Sequence, residues 1–145
     1  MGTGTRVLLA FSAALAAAVL APERGLPADE QATIAFFRTP SGNIGCALLE
    51  PTYLRCDIRS GLKPMPPPDK SCQFDWGGGY KLNATGRASV SCISDTVMDA
   101  RARVVPYGTV WHGGRFTCSS QLAGLRCTNA SGHGFFLSKD PSYTF

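Results

Sequence analysis

Ser41-Gly42-Asn43-Ile44-Gly45-Cys46-Ala47-Leu48-Leu49-Glu50-Pro51-Thr52-Tyr53-Leu54-Arg55-Cys56-Asp57-Ile58 carries apolar residues at alternate positions on both sides of a central proline. Placing Cys46 opposite Cys56 in an antiparallel pair sets Leu48 against Leu54 and Ile44 against Ile58, with Pro51 at the centre of the turn. All six side chains then share one face, as a side-chain period of two demands of a half-buried strand pair. Cysteines opposed at a non-hydrogen-bonded position come close enough for a disulfide. The stretch therefore reads as a stapled β-hairpin, and the remainder of the chain repeats the design.

The repeat is clearest near the C-terminus. Gly42-x-Ile44-x-Cys46 followed by Leu54-Arg55-Cys56 is echoed by Gly114-x-Phe116-x-Cys118 followed by Leu125-Arg126-Cys127. The intercysteine gap is one residue shorter here, and the reading places a bulge at Gly124 to absorb the difference. Between these hairpins, Ser71 to Trp76 and Ala88 to Cys92 alternate polar and apolar residues. Setting Cys72 opposite Cys92 puts Phe74 against Val90 and Trp76 against Ala88, again on one face. The expected pairing is Cys46 with Cys56, Cys72 with Cys92 and Cys118 with Cys127.

Other segments fill in around the hairpins. Thr33 to Phe37 suits a first strand. Ser60 to Lys70, rich in proline, suits a stiff extended loop, because proline fixes φ and removes a backbone donor. Gly77-Gly78-Gly79 reads as a sharp turn, with Tyr80-Lys81-Leu82 as a short strand after it. Asp95 to Ala102 suits one or two helical turns capped by Asp95 or Thr96. Gly132 to Ser138 reads as a strand after a glycine-flanked turn, and the segment ending at Tyr143 and Phe145 as a terminal strand docked into the core. The fold expected is all-β: a small disulfide-stapled antiparallel sandwich or barrel built from repeated hairpins, with at most one short helix.

The chain begins with a charged residue, Arg6, and an apolar run from Val7 to Ala21, the pattern of a secretory signal peptide. A membrane-spanning helix needs roughly 20 apolar residues, and Pro22-Glu23-Arg24 stops the run short of that. Residues 1–28 are expected to be removed after Ala28, leaving 29–145 as a single domain with no membrane span after processing. Six cysteines in an exported chain then imply three disulfides. Twelve basic and nine acidic residues remain after Arg6, Glu23 and Arg24 are gone, and the basic ones are scattered. That distribution argues against a nucleic-acid partner.

Pro40-Ser41-Gly42-Asn43-Ile44-x-Cys46, Arg55-Cys56, Pro106-Tyr107-Gly108, and Gly124 through Cys127 and Asn129 to Gly132-His133-Gly134-Phe135-x-Leu137-Ser138 together resemble a family of small secreted bacterial proteins whose domain is of unknown function. The resemblance covers nearly all of the mature chain. It implies export and a disulfide framework, and carries over no activity or catalytic residue.

The chemistry left to the side chains is sparse. Two histidines, His112 and His133, are the only imidazoles, and no zinc spacing accompanies them. No cysteine pair has the two-residue spacing of a redox motif. The repeated Cys-x-x-Asp at Asp75 and Asp95 offers too few carboxylates for calcium. Asn83-Ala84-Thr85 and Asn129-Ala130-Ser131 match glycosylation acceptors, which matter only in a glycosylating pathway. No cofactor is expected. The function expected is an extracytoplasmic, non-catalytic binding or structural module for an envelope polymer or another extracytoplasmic protein. Its expected surface is Tyr107, Trp111, His112, His133 and Phe135, aromatic and imidazole groups near glycine-rich turns. Two other classes compete with it: a small secreted hydrolase using His133 or His112, and a protease-inhibitor-like presenter of the Pro64 to Pro68 loop.

Overall fold

The computed structural model describes residues 1–4 and 34–145. Most of the expected leader, its cleavage site and Thr33 lie outside the described residues. Two sheets make up the fold. The first has the order β5(Ser89–Ile93), β4(Asp75–Asn83), β3(Tyr53–Ile58), β2(Ile44–Glu50), β1(Ala35–Arg38), β6(Arg103–Val104). The second has the order β11(Tyr143–Thr144), β10(Gly134–Leu137), β9(Gly124–Asn129), β8(Phe116–Gln121), β7(Thr109–Gly113). All neighbours are antiparallel except β1 and β6.

Alternation decides which face each strand buries. Ile44, Cys46, Leu48, Leu54, Cys56 and Ile58 are all buried and share the core with Phe116, Cys118, Leu125, Cys127, Phe135 and Leu137 from the second sheet. Phe37 of β1 stacks on Trp111 of β7 at 4.2 Å, and Tyr80 of β4 meets Phe135 of β10 at 5.6 Å. These two contacts align the sheets strand for strand, so the β2–β3 hairpin faces the β8–β9 hairpin across the core. The result is a sandwich, not a closed barrel.

The first hairpin has the expected register, with Cys46 opposite Cys56, Leu48 opposite Leu54 and Ile44 opposite Ile58. All three expected disulfides are present. The bulge, however, falls in the first hairpin, between Leu48 and Glu50, and not at Gly124. Parity is the reason. Paired residues ten apart cannot be joined through regular pairing and a two-residue turn, so Leu49 is left over. Cysteines nine apart can, and β8 runs into β9 in unbroken register through Leu122-Ala123.

The middle hairpin differs further. Trp76, not Cys72, lies opposite Cys92, and Tyr80 lies opposite Val90. Cys72 reaches Cys92 from the loop before β4, and Phe74 is 61% exposed. The glycine triplet makes no turn but lies inside β4, where the register against β5 shifts between Trp76 and Tyr80. A Cβ on Gly79 would collide with the Cys56 carbonyl, so the glycines serve a close backbone approach.

The expected helical turns at Asp95 to Ala102 are absent, and no helix occurs among the described residues. Strands β5 and β6 form opposite edges of the first sheet, about 24 Å apart at ordinary strand spacing. The linking residues, Ser94 to Ala102, reach roughly 30 Å fully extended, and two helical turns, advancing just about 1.5 Å per residue, would leave them short, so the segment crosses as irregular chain with a turn closed by the Ala102 amide on the Asp99 carbonyl. The C-terminal strand also departs from expectation. It pairs Tyr143 with Phe136 at a sheet edge, and Tyr143 stays 44% exposed on the outer face instead of entering the core.

Candidate ligand cleft on the first sheet

Because Leu54 and Cys56 point inward, Arg55 and Asp57 must point to the outer face of the first sheet. The register aligns Arg38, Gly45, Asp57 and Gly79 in one outer row and Phe36, Ala47, Arg55 and Lys81 in the next. The link from β5 to β6 crosses this face as a strap. Its Val97 is buried, and its Met98 lies over Gly45, where an added Cβ would stand 2.6 Å from the sulfur and 3.2 Å from the Met98 Cα. Only glycine lets the strap lie so close.

Charge fastens the strap. Arg55 and Asp57 are 4% and 6% exposed. Arg55 donates from Nε and Nη2 to the two Asp57 oxygens at 3.0 and 2.8 Å, from Nη1 to the Asp95 carboxylate at 2.8 Å, and from Nη2 to the Asp95 carbonyl. Asp57 Oδ2 also accepts from the Thr96 hydroxyl and the Val97 amide, each at 3.0 Å. Burial opposes the Arg55 charge, yet hydrogen bonds to Asp57 and Asp95 outweigh it and raise the guanidinium above its ordinary value. The Arg55 hydrogen bond lowers Asp95 below the usual carboxylate range. A buried ion pair with its remaining valences filled in this way specifies one position for the strap.

The strap leaves two adjoining clefts that share Arg59 and Met98. One, about 160 Å³, is lined by Arg38, Gly42, Gly45, Arg59, Met98, Asp99 and Ala100. Arg59 donates to the Gly42 carbonyl at 3.0 Å, while the buried Arg38 Nε has no hydrogen-bond partner among the described residues. The other, about 460 Å³, has Asp57, Asp75, Asp95 and Thr96 on its walls. The fold thus brings together Asp75 and Asp95, which the repeated Cys-x-x-Asp had singled out. Among the described residues no group of three acidic, histidine or cysteine side chains could hold a metal ion.

The residues expected to form a binding surface are dispersed. Trp111 and Phe135 are core side chains, 8% and 0% exposed, because each lies on the inner row with the paired cysteines Cys118 and Cys127. Tyr107 lines a separate recess with Ser41, Asn43, Leu122 and Lys139. His112 is on the outer face of β7, where Nδ1 contacts the Thr117 hydroxyl at 3.2 Å. His133 precedes β10, and its Nδ1 lies 3.3 Å from the Phe145 carbonyl. Register places the two histidine positions about three strands apart, roughly 14 Å. Neither imidazole pairs with a carboxylate among the described residues.

Two further sequence features find structural uses. Asn129 is buried and donates from Nδ2 to the Asn83 and Gly86 carbonyls at 2.9 and 2.8 Å, so its amide ties the sheets together and is not free for glycosylation. In the proline-rich loop, Trp76 Nε1 donates to the Pro67 carbonyl at 3.1 Å, holding the segment beside β4. The cleft residues Arg38, Arg55, Asp57 and Arg59 were not singled out from sequence. A signal existed: Arg55 and Asp57 flank Cys56 on the outward positions of a central strand, with small Ala47 and Gly45 beside them.

These features define a disulfide-stapled, two-sheet β domain with one covered outer face. The chain belongs to a family of unknown function, DUF6636, whose model matches residues 7–145. Comparisons with curated proteins and with solved structures find no match.

Proposed function

We propose that this chain is an extracytoplasmic, non-catalytic module that holds its ligand in the cleft beside the strap of the first sheet. Three disulfides suit an oxidising compartment, in keeping with the secretory leader read from the sequence. The observation that carries the reading is the strap itself: a buried Arg55–Asp57 pair immobilises an irregular segment over a sheet, and two further arginines face the space left open beside it. Rigid frames that position loop residues are the usual way small stapled domains bind. The cleft walls contain neither histidine, and the one hydroxyl there, Thr96, donates to an Asp57 carboxylate already held by Arg55 and the Val97 amide, so that carboxylate fastens the strap instead of serving as a free base. An envelope polymer or an extracytoplasmic protein is the partner class.

Retention on purified bacterial envelope fractions tests the reading. The double variant Arg38→Gln/Arg59→Gln should lose retention, while His112→Ala/His133→Ala should keep it. The opposite pattern would return the binding surface to the histidines. Reproducible turnover of a hydrolase substrate, abolished by His133→Ala, would replace the module with an enzyme.

A further inference from the structure

The chemistry of the smaller cleft narrows the ligand, resting on the cleft reading above. Arg38 on β1 and the residue after β3, Arg59, both line it, and neither forms an ion pair among the described residues. Arg38 Nε is closed off without an acceptor, so an oxygen entering the cleft is met by the terminal nitrogens of this guanidinium, for which the described residues supply no ion-pair partner. Asp99 shares the wall, but it is already engaged: it accepts from the Arg101 amide at 2.8 Å and from Arg101 Nε at 3.4 Å. Two guanidinium forks around a small space suit a planar oxyanion, which each can bind through paired hydrogen bonds.

Size and charge restrict the choice. About 160 Å³ admits a carboxylate with a small substituent but falls below the roughly 300 Å³ at which drug-sized pockets begin. On the walls of the adjoining cleft Asp57 and Asp95 share the single guanidinium of Arg55, and Asp75 forms no ion pair among the described residues, so the acids outnumber their partners and a second negative charge on the ligand would meet net like charge there. Such repulsion discriminates against polyanions. We propose that the Arg38–Arg59 cleft receives the carboxylate of a chain that is neutral or cationic beyond it, for which a peptide C-terminus is the simplest case.

The test uses N-acetyl-Ala-Lys-Ala with a free carboxylate, the same peptide as its C-terminal amide, N-acetyl-Ala-Glu-Ala with a free carboxylate, and inorganic phosphate. Binding to the intact disulfide-bonded protein is followed by amide chemical shifts. The lysine peptide acid should bind, shifting Gly42, Gly45 and Arg59. The amide and the glutamate peptide should bind on the order of tenfold more weakly or worse, as should phosphate. Arg59→Gln, an exposed position, should lower affinity by a similar factor with the melting temperature unchanged, and Arg38→Gln should do the same where it folds. Equal binding of acid and amide, tighter binding of phosphate, or indifference to Arg59→Gln would overturn the proposal. If no peptide binds while envelope retention still depends on Arg38 and Arg59, the carboxylate assignment fails and the cleft reading stands.

Discussion

The tripeptide Leu-Arg-Cys occurs twice, at Leu54-Arg55-Cys56 and Leu125-Arg126-Cys127, and its arginines meet opposite fates. Both sit on central strands, both follow a leucine that is fully buried, and both precede a cysteine bonded across to the neighbouring strand. Arg55 is buried beneath the strap and paired with two aspartates. Arg126 is exposed and lies 3.7 Å from the centre of the Phe145 ring. Local pattern sends both side chains outward. Whether outward means solvent depends on what crosses the sheet, and only the first sheet carries a connection between its two edges.

Substitution of the two arginines separates the faces most sharply. Arg55→Met strands Asp57 as a buried, uncompensated carboxylate, and its expected cost is about 3–5 kcal/mol. Arg126→Met removes an exposed cation–π contact and should cost about 0.5–1 kcal/mol. Denaturant melts of both variants measure the difference, and equal costs would mean that the strap does not bury Arg55.

The disulfides should give intermediate effects. Replacing Cys46 and Cys56 by alanine, or Cys118 and Cys127, is expected to cost about 2–4 kcal/mol in either case, because the closed loops are of nearly equal length. A large inequality between the two would show that the hairpins are not energetic equivalents. Cys72–Cys92 is half-buried where the other two bonds are fully buried, so a mild reductant should open it first. Alkylation and peptide mapping at increasing reductant would reveal the order; prior loss of a core bond contradicts it.

The smallest effect concerns Asp95, whose side chain is 78% exposed although it anchors the strap. Its carboxyl is lowered in the folded state by Arg55. The stabilisation it brings is therefore complete above the ordinary carboxylate value of about 3.9 and fades as pH falls through the lower folded value. Wild type should melt slightly above Asp95→Asn near neutrality, and the two should converge in acid. A gap that persists unchanged at low pH would show that the carboxylate charge has no part in holding the strap. The second sheet offers no counterpart to this effect, as neither of its histidines is paired with an acid.

Much of this was legible in the residues. Ile44, Cys46 and Leu48 against Leu54, Cys56 and Ile58 specify a register by themselves, because a one-residue slip would turn all six side chains outward. The Cys46–Cys56 and Cys118–Cys127 partners follow from the same alternation, whereas Cys72 meets Cys92 from a loop and not from the opposed strand position that alternation assigned to it; the repetition of such pairs left a sandwich and a barrel both open. Trp111 and Phe135 were misjudged because proximity to glycine-rich turns says nothing about which face a side chain takes. The inward alternation with Cys118 and Cys127 says it directly. The glycine triplet suggested a turn because glycine permits turns, while close packing against Cys56 also requires it.

The strand faces of the first and last stapled hairpins and the count of disulfides were thus determined by the sequence alone, since a period of two is a local property and short hairpin loops make pairing local. The strap, its irregular course and the cleft beside it were decided only by the tertiary structure. Nothing within Ser94 to Ala102 says that the segment must bridge opposite edges of a sheet, and that span leaves no room for two helical turns there. The burial of Arg55 beside Asp57 follows from the same long-range fact, as does the meeting of Arg38 with Arg59, which are 21 residues apart in sequence and come together only when β1, β2 and β3 are side by side.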